Sequence, residues 1–220
     1  MSLTLIGHPF SSYTQKVLIA LYEGEIPFEF KVLGPDAPEV AAEWMRLWPL
    51  RRMPVLVDEG RTFVESSIII EHLQLARPSA LRLLPIDARA ALDVRFMDRF
   101  FDHHVMTPMQ HAVNSALHGG AWGGREEGLA HAAEKLTLAY GWLEGRLTDR
   151  GWAAGAEFTL ADCAAAPSMF YADWVFPIGA EFPKTRAYRA RLLARPSVKR
   201  AVDDARPYRP LFPLGAPDRD

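Results

Sequence analysis

The first 77 residues change their pattern of apolar and polar positions every few residues. Leu3-Thr4-Leu5-Ile6 is a short apolar run closed by Gly7-His8-Pro9, and it predicts a buried strand. Ser12 followed by Gln15 matches a capping box and opens a helix with Val17, Ala20 and Leu21 on its buried face and Gly24 as its stop. From Pro27 to Val32, Phe28, Phe30 and Val32 alternate with Glu29 and Lys31, which predicts a half-buried strand. Asp36 and Glu39 are placed to cap a second helix with the stripe Val40, Trp44, Leu47. Pro54-Val55-Leu56-Val57 and Thr62-Phe63-Val64 flank the turn sequence Asp58-Glu59-Gly60-Arg61, a hairpin. Ser66 to Ala76 reads as a third helix, rich in isoleucine and leucine. The predicted order is β-α-β-α-β-β-α.

After Pro78 the strand signals stop. Residues 78–87 carry prolines near both ends and predict a linker between a domain over 1–77 and one over 88–220. Beyond it the periodicity is helical. Ala90, Val94, Met97 and Phe101 recur at that spacing, as do Leu129, Ala132, Leu136, Ala139 and Leu143. Thr159 and Asp162 form a second capping box, with Phe158 placed to staple against the helix they open. Pro196-Ser197 starts a last short helix, and the tail from Pro207 reads as irregular. The fold class expected is an α/β thioredoxin-like N-terminal domain followed by an all-α bundle.

Bulk composition removes several function classes. The 220 residues carry a formal charge of −2, which favours neither nucleic acid nor an anionic membrane as partner. Cys163 is the single cysteine, so neither an intramolecular disulfide nor a cysteine-based zinc knuckle can form, and a reducing cytoplasmic setting is expected. The N-terminus lacks the pattern of a secretion signal, and no apolar run reaches the ~20 residues of a membrane helix. His104, His111 and His118 recur every seventh residue, but two helical turns span about 10.5 Å, too far for one metal ion. No metal is expected.

Two short segments carry the chemistry. Pro54 opens a strand, where its missing N–H confines it to an edge or to a cis bond. A cis bond would turn the Met53 N–H and C=O outward to pair with a peptide-like ligand as an added strand. Ten residues after this motif, Glu65-Ser66 falls where a strand ends and a helix begins. The free N–H groups at Ser66 and Ser67 suit a carboxylate, and the Glu65 side chain suits an ammonium. Singly, these residues are an edge proline, a helix cap and a turn acid. Together they fit a zwitterionic head group attached to an extended peptide.

In these segments the chain resembles the glutathione transferase family. The likeness spans the β-α-β-α-β-β-α order, Met53-Pro54-Val55-Leu56, Glu65-Ser66-Ser67-Ile68-Ile69, the stretch from Gly155 to Asp162, and Arg195-Pro196-Ser197-Val198. The resemblance implies that Met53, beside a cis Pro54, pairs with the cysteinyl backbone of glutathione, while Glu65 and Ser66 bind its γ-glutamyl end. It implies glutathione as co-substrate, a small hydrophobic electrophile as second partner, S-transferase chemistry of the detoxification type and a homodimer. Where family members often read Asn-Pro-x-Gly-Lys-Val-Pro, this chain has Trp48-Pro49-Leu50-Arg51-Arg52-Met53-Pro54. Arg51 or Arg52 could meet the glycyl carboxylate.

Glutathione reacts as thiolate, so a donor is needed near its sulfur, aided by a helix N-terminus. Ser11, Ser12, Tyr13 and Thr14 are the candidates. Similarity to theta- and zeta-like members points to Ser11, with Tyr13 and Ser12 as rivals. Tyr13 occupies the position of the catalytic cysteine of beta-like members, which excludes a mixed disulfide there. For the second substrate the expected wall is Phe10, Tyr13, Phe100, His104, Met106 and Gln110. A non-enzymatic binding module, or glutathione-dependent isomerisation, dehalogenation or peroxide reduction, are the alternatives on the same fold.

Overall fold

In the computed structural model, which describes residues 3–119, 123–149 and 151–220, a four-stranded mixed sheet with three helices precedes a helical bundle. The sheet order is β2-β1-β3-β4, with β1 (Leu3–Gly7), β2 (Glu29–Val32), β3 (Val55–Asp58) and β4 (Arg61–Val64). β1 runs parallel to β2 and antiparallel to β3, and β3 pairs antiparallel with β4. Side chains on β1 and β3 alternate between the two faces. Leu5 and Leu56 enter the main core with α1 (Ser12–Glu23) and α3 (Ser66–Ala76). Ile6 and Val55 enter a smaller core on the other face, covered by Val40, Trp44 and Leu47 of α2 (Pro38–Leu47). Glu59 and Gly60 turn the hairpin with φ of 50° and 79°, as a two-residue primed turn requires.

The expected N-terminal order is the observed one, and two of its caps are corrected. The cap of α1 is Ser11, not Ser12: the Ser11 hydroxyl accepts the Thr14 N–H at 3.4 Å. The Gln15 amide does not reach back to close a box; it donates to the Pro9 carbonyl and to the Tyr171 hydroxyl. The second helix has Ala37 at its cap without a side-chain bond, because Pro38 starts it with φ already preset. β2 begins at Glu29, so Pro27 and Phe28 lie before the strand.

The bundle contains α4 (Ala88–Phe100), α5 (Thr107–His118), α6 (Arg125–Arg146), α7 (Leu160–Val175), α8 (Pro183–Ala194) and α9 (Pro196–Ala205). A π-helical segment, Phe101–Met106, joins α4 to α5. Pro108 has no N–H and its ring crowds the preceding turn, and the helix widens just ahead of it. The tail from Pro207, expected irregular, begins inside a 3-10 helix, Arg206–Leu211, and Phe212 after it is buried in the core. Residues 78–87 are mostly exposed but anchored at two points: Leu81 and Leu83 are buried, and Gln74 accepts the Leu83 and Leu84 N–H groups. One continuous apolar core therefore runs from Leu3 in the sheet to Phe212. Among the described residues no helix is long and apolar enough to cross a membrane.

α7 is the centre of this core, with every residue from Leu160 to Trp174 buried. Its expected capping box forms. The Asp162 carboxylate accepts the Thr159 N–H at 2.9 Å, the Thr159 hydroxyl at 3.0 Å, the Ala153 N–H at 2.9 Å and the Tyr188 hydroxyl at 2.6 Å. Cys163 packs wholly inside this helix, and burial pushes its thiol well up, so it is held as an unreactive hydrophobe.

Candidate functional site

A cleft of about 760 Å³ lies between the sheet domain and the α4–α5 arm. Four segments wall it, each held by a different local device. The first is the loop between β1 and α1. Its backbone is tied at both ends: Ser11 N–H donates to the His8 carbonyl at 2.9 Å, and the Tyr171 hydroxyl donates to the Phe10 carbonyl at 3.0 Å. Tyr171 also accepts from Gln15 at 2.9 Å, so buried α7 fixes the loop that carries Ser11. Ser11 and Tyr13 face the cleft. Ser12, the first residue of α1, is buried and outside it.

The second wall runs from Trp48 to Pro54. Trp44 donates its indole N–H to the Arg52 carbonyl at 2.8 Å, anchoring the loop to α2. Arg51 adopts φ of 54°, a left-handed conformation that explains why a glycine stands here in the pattern the chain departs from. Both Arg51 and Arg52 are exposed along the cleft. The Met53–Pro54 bond is cis, as expected from the strand-opening proline. Met53 lies outside the strand ladder, and its backbone groups take no backbone partner among the described residues.

The third wall is the start of α3. Glu65 sits at the cap with φ of 66°, exposed, and its carbonyl accepts the Ile69 N–H. The N–H groups of Ser66 and Ser67 precede the first intrahelical bond, so they and the positive end of the helix dipole open toward the cleft. The Ser67 hydroxyl is otherwise engaged, donating to Asp98 at 2.8 Å and accepting from Lys16 at 2.9 Å.

The fourth wall is one side of the long helical arm: Arg99, Asp102, His103, Gln110, Val113 and Leu117. Asp102 is buried, and burial pushes its carboxyl up against the pull of Lys16, 2.8 Å away. Burial, then the carboxylates of Asp102, Glu65 and Asp98, push the Tyr13 phenol up to about 12. Tyr13 therefore keeps its proton at neutral pH.

One cleft thus gathers Ser11, Tyr13, Arg51, Arg52, Met53, Pro54, Glu65 and Ser66. Of the residues expected around a second substrate, only Gln110 and Tyr13 join them. Phe10 packs edge-on against Tyr171 at 5.3 Å, within an aromatic cluster that includes Trp174 and Phe212. Met106 is buried in the core. Phe100 and His104 face a separate groove between the arm and α6, where Phe100 stacks on Trp142 at 4.4 Å. Sequence reasoning missed Arg99, Asp102, His103, Val113 and Leu117. A usable signal was present for one of them: Asp98 and Asp102 are two acids four residues apart beside the apolar stripe Val94, Met97, Phe101.

Comparison with known proteins bears on the family and the fold. Residues 5–80 match the family model described as glutathione S-transferase, N-terminal domain, and residues 97–196 match glutathione S-transferase, C-terminal domain. The probable glutathione S-transferase parC of Nicotiana tabacum is 28% identical over 201 residues, 88% of this chain and 86% of that protein. FtsZ-localized protein A of Caulobacter vibrioides is 28% identical over 215 residues, 93% and 92% of the two chains. Glutathione transferase F7 of Populus trichocarpa shares the fold, with a TM-score of 0.78 and 22% identity over 92% of this chain and 98% of that one.

Proposed function

The chain belongs to the glutathione S-transferase family, and we propose from that premise that its cleft binds glutathione and conjugates it to a small apolar electrophile. The observation that carries this reading is the convergence of Met53, Glu65, Ser66 and Ser11 on one cleft from three separate segments. The Met53 backbone would pair with the cysteinyl residue. The N-terminus of α3 would take the γ-glutamyl carboxylate, with Glu65 and Asp102 facing its ammonium. Arg51 and Arg52, exposed along the cleft, would meet the glycyl carboxylate. Val113 and Leu117 supply an apolar side for the electrophile, with Gln110 and His103 as polar groups beside it. In the reaction the thiolate sulfur bonds to the electrophilic carbon, and the electron pair of the bond that breaks leaves with the displaced group. The protein contributes proximity and a stabilised thiolate.

Ser11 is the preferred donor to the sulfur. Its oxygen accepts from Thr14, which leaves its own O–H free to point into the cleft. Tyr13 is the rival. The test is the absorbance of bound thiolate against pH in wild type, Ser11→Ala and Tyr13→Phe. Loss of the donor should raise the thiol pKa by about one unit and cut the neutral-pH thiolate as much as ten-fold. A shift in Tyr13→Phe alone reverses the assignment, and no shift in either places the sulfur on backbone N–H groups.

A cytoplasmic homodimer belongs to the same proposal. Exposed Phe96, Leu138 and Trp142 give α4 and α6 an apolar face for a second copy. A second reading, a binding module without turnover, is kept beside it because FtsZ-localized protein A, matched over nearly its full length, is named for a localisation and not for a reaction. Glutathione binding without conjugation of any electrophile tried would support it.

A further inference from the structure

Lys16 lines no part of the cleft, yet it stands behind two of its walls. Its side chain is 1% exposed. The ammonium lies 2.6 Å from Asp98 Oδ1 and 2.8 Å from Asp102 Oδ2, and donates to Ser67 Oγ at 2.9 Å. Ser67 Oγ in turn donates to Asp98 Oδ2 at 2.8 Å. One cation from α1 thus joins the start of α3 to two carboxylates of the α4–α5 arm. The next cation is Arg99, half exposed, 3.7 Å from Asp98 and 3.9 Å from Asp102.

Two carboxylates in so dry a place do not both stay ionised without a cation between them. Asp102 is the one that borders the cleft; its Oδ2 is held by Lys16, and its Oδ1 takes no hydrogen bond among the described residues. The groups that face it are Lys16 and Tyr13 from α1, Asp98 and Arg99 from α4, and His103 beside it on the π turn, with Glu65 at the cap of α3 lining the same cleft.

We propose that Lys16 is a positioning residue of the cleft. Its ammonium balances the Asp98–Asp102 pair and keeps Asp102 ionised, so that the Asp102 carboxylate beside the α3 N-terminus presents one fixed site for the zwitterionic head group of a γ-glutamyl ligand. This rests on the glutathione reading of the cleft. The consequence is a pH dependence that a purely structural lysine would not create. With Lys16 replaced by a neutral residue, Asp102 and Asp98 share a proton near neutrality, and the ammonium of the ligand loses its partner.

The experiment titrates glutathione into wild type, Lys16→Met and Lys16→Met/Asp98→Asn between about pH 5.5 and about pH 7.5, below the titration of an α-amino group. Lys16→Met should bind about ten-fold more weakly than wild type at the acid end and recover as the pH rises. The double variant removes one cation and one carboxylate, keeps the net charge of the cluster and should restore the wild-type profile. The ligand-free infrared spectrum of Lys16→Met at neutral pH should gain a carboxylic-acid carbonyl band that the double variant lacks. A pH-independent loss of affinity, or no such band, overturns the proposal. If Lys16→Met does not fold, loss of binding in a folded double variant overturns it, and wild-type binding there supports it. Glutathione failing to bind wild type overturns the reading of the cleft instead, and the infrared comparison still decides the Lys16–Asp102 coupling.

Discussion

Asp162→Ala should be among the most damaging single changes in the molecule, although Asp162 touches no part of the cleft. Its carboxylate is fully buried and accepts four hydrogen bonds, from Ala153 N–H, Thr159 N–H, Thr159 Oγ and Tyr188 Oη. Truncation to alanine leaves the two N–H groups and the Tyr188 hydroxyl buried without an acceptor. Each orphaned donor costs about 1–3 kcal/mol, and a water entering the space would offset part of the total. A loss of about 3–5 kcal/mol follows, large beside a typical total stability of about 5–15 kcal/mol. The damage should reach the cleft, because α7 carries the Tyr171 that pins Phe10 and Gln15 beside Ser11. Urea unfolding of wild type, Asp162→Ala and Tyr188→Phe measures it. Tyr188→Phe removes one donor, leaves the carboxylate with three, and should cost only about 1 kcal/mol. An Asp162→Ala loss below about 1 kcal/mol would refute the claim that this cluster holds α7 in place.

Two further predictions concern the sheet domain. Arg77, then His72, hold the Asp58 carboxyl down at about 2. A depressed carboxyl contributes stability that is full above its unfolded value near 3.8 and lost as pH falls through about 2. Asp58→Asn should therefore cost about 2 kcal/mol at neutral pH, and the gap to wild type in unfolding free energy should close on acidification across that window; a gap unchanged by acid contradicts it. Arg51→Gly should raise stability by up to about 1 kcal/mol, since glycine adopts the left-handed conformation without a Cβ clash. The same variant should weaken glutathione if the guanidinium meets the glycyl carboxylate, so a melt and a titration on one sample separate the two effects.

The sequence was most legible where a motif is local. Pro54 and the Glu65-Ser66 pair lie at strand and helix ends whose backbone geometry depends on a few neighbours. Asp162 was equally plain, because a capping box needs only four residues. The cap of α1 slipped by one position, from Ser12 to Ser11, because Gln15 turns away toward Tyr171, a partner 156 residues distant that no local rule supplies. Phe10 failed as a pocket residue for a similar reason: the aromatic cluster of Tyr171, Trp174 and Phe212 draws it into the core. The α4–α5 wall depends on how the arm docks across the cleft, with a π turn rotating its faces, and helical periodicity carries no record of that rotation. Lys16 was readable in principle, as a charge within the stretch of α1 that is buried without a break from Thr14 to Leu21.

Calorimetric titration of glutathione into wild type and a Glu65→Ala/Ser66→Ala variant tests the central claim most directly. The account predicts saturable binding to wild type and an affinity weakened by about 1.5–3 kcal/mol, or roughly ten- to a hundred-fold, in the variant, with both proteins melting alike. Equal affinity in two folded proteins, or no heat of binding to wild type, would contradict it.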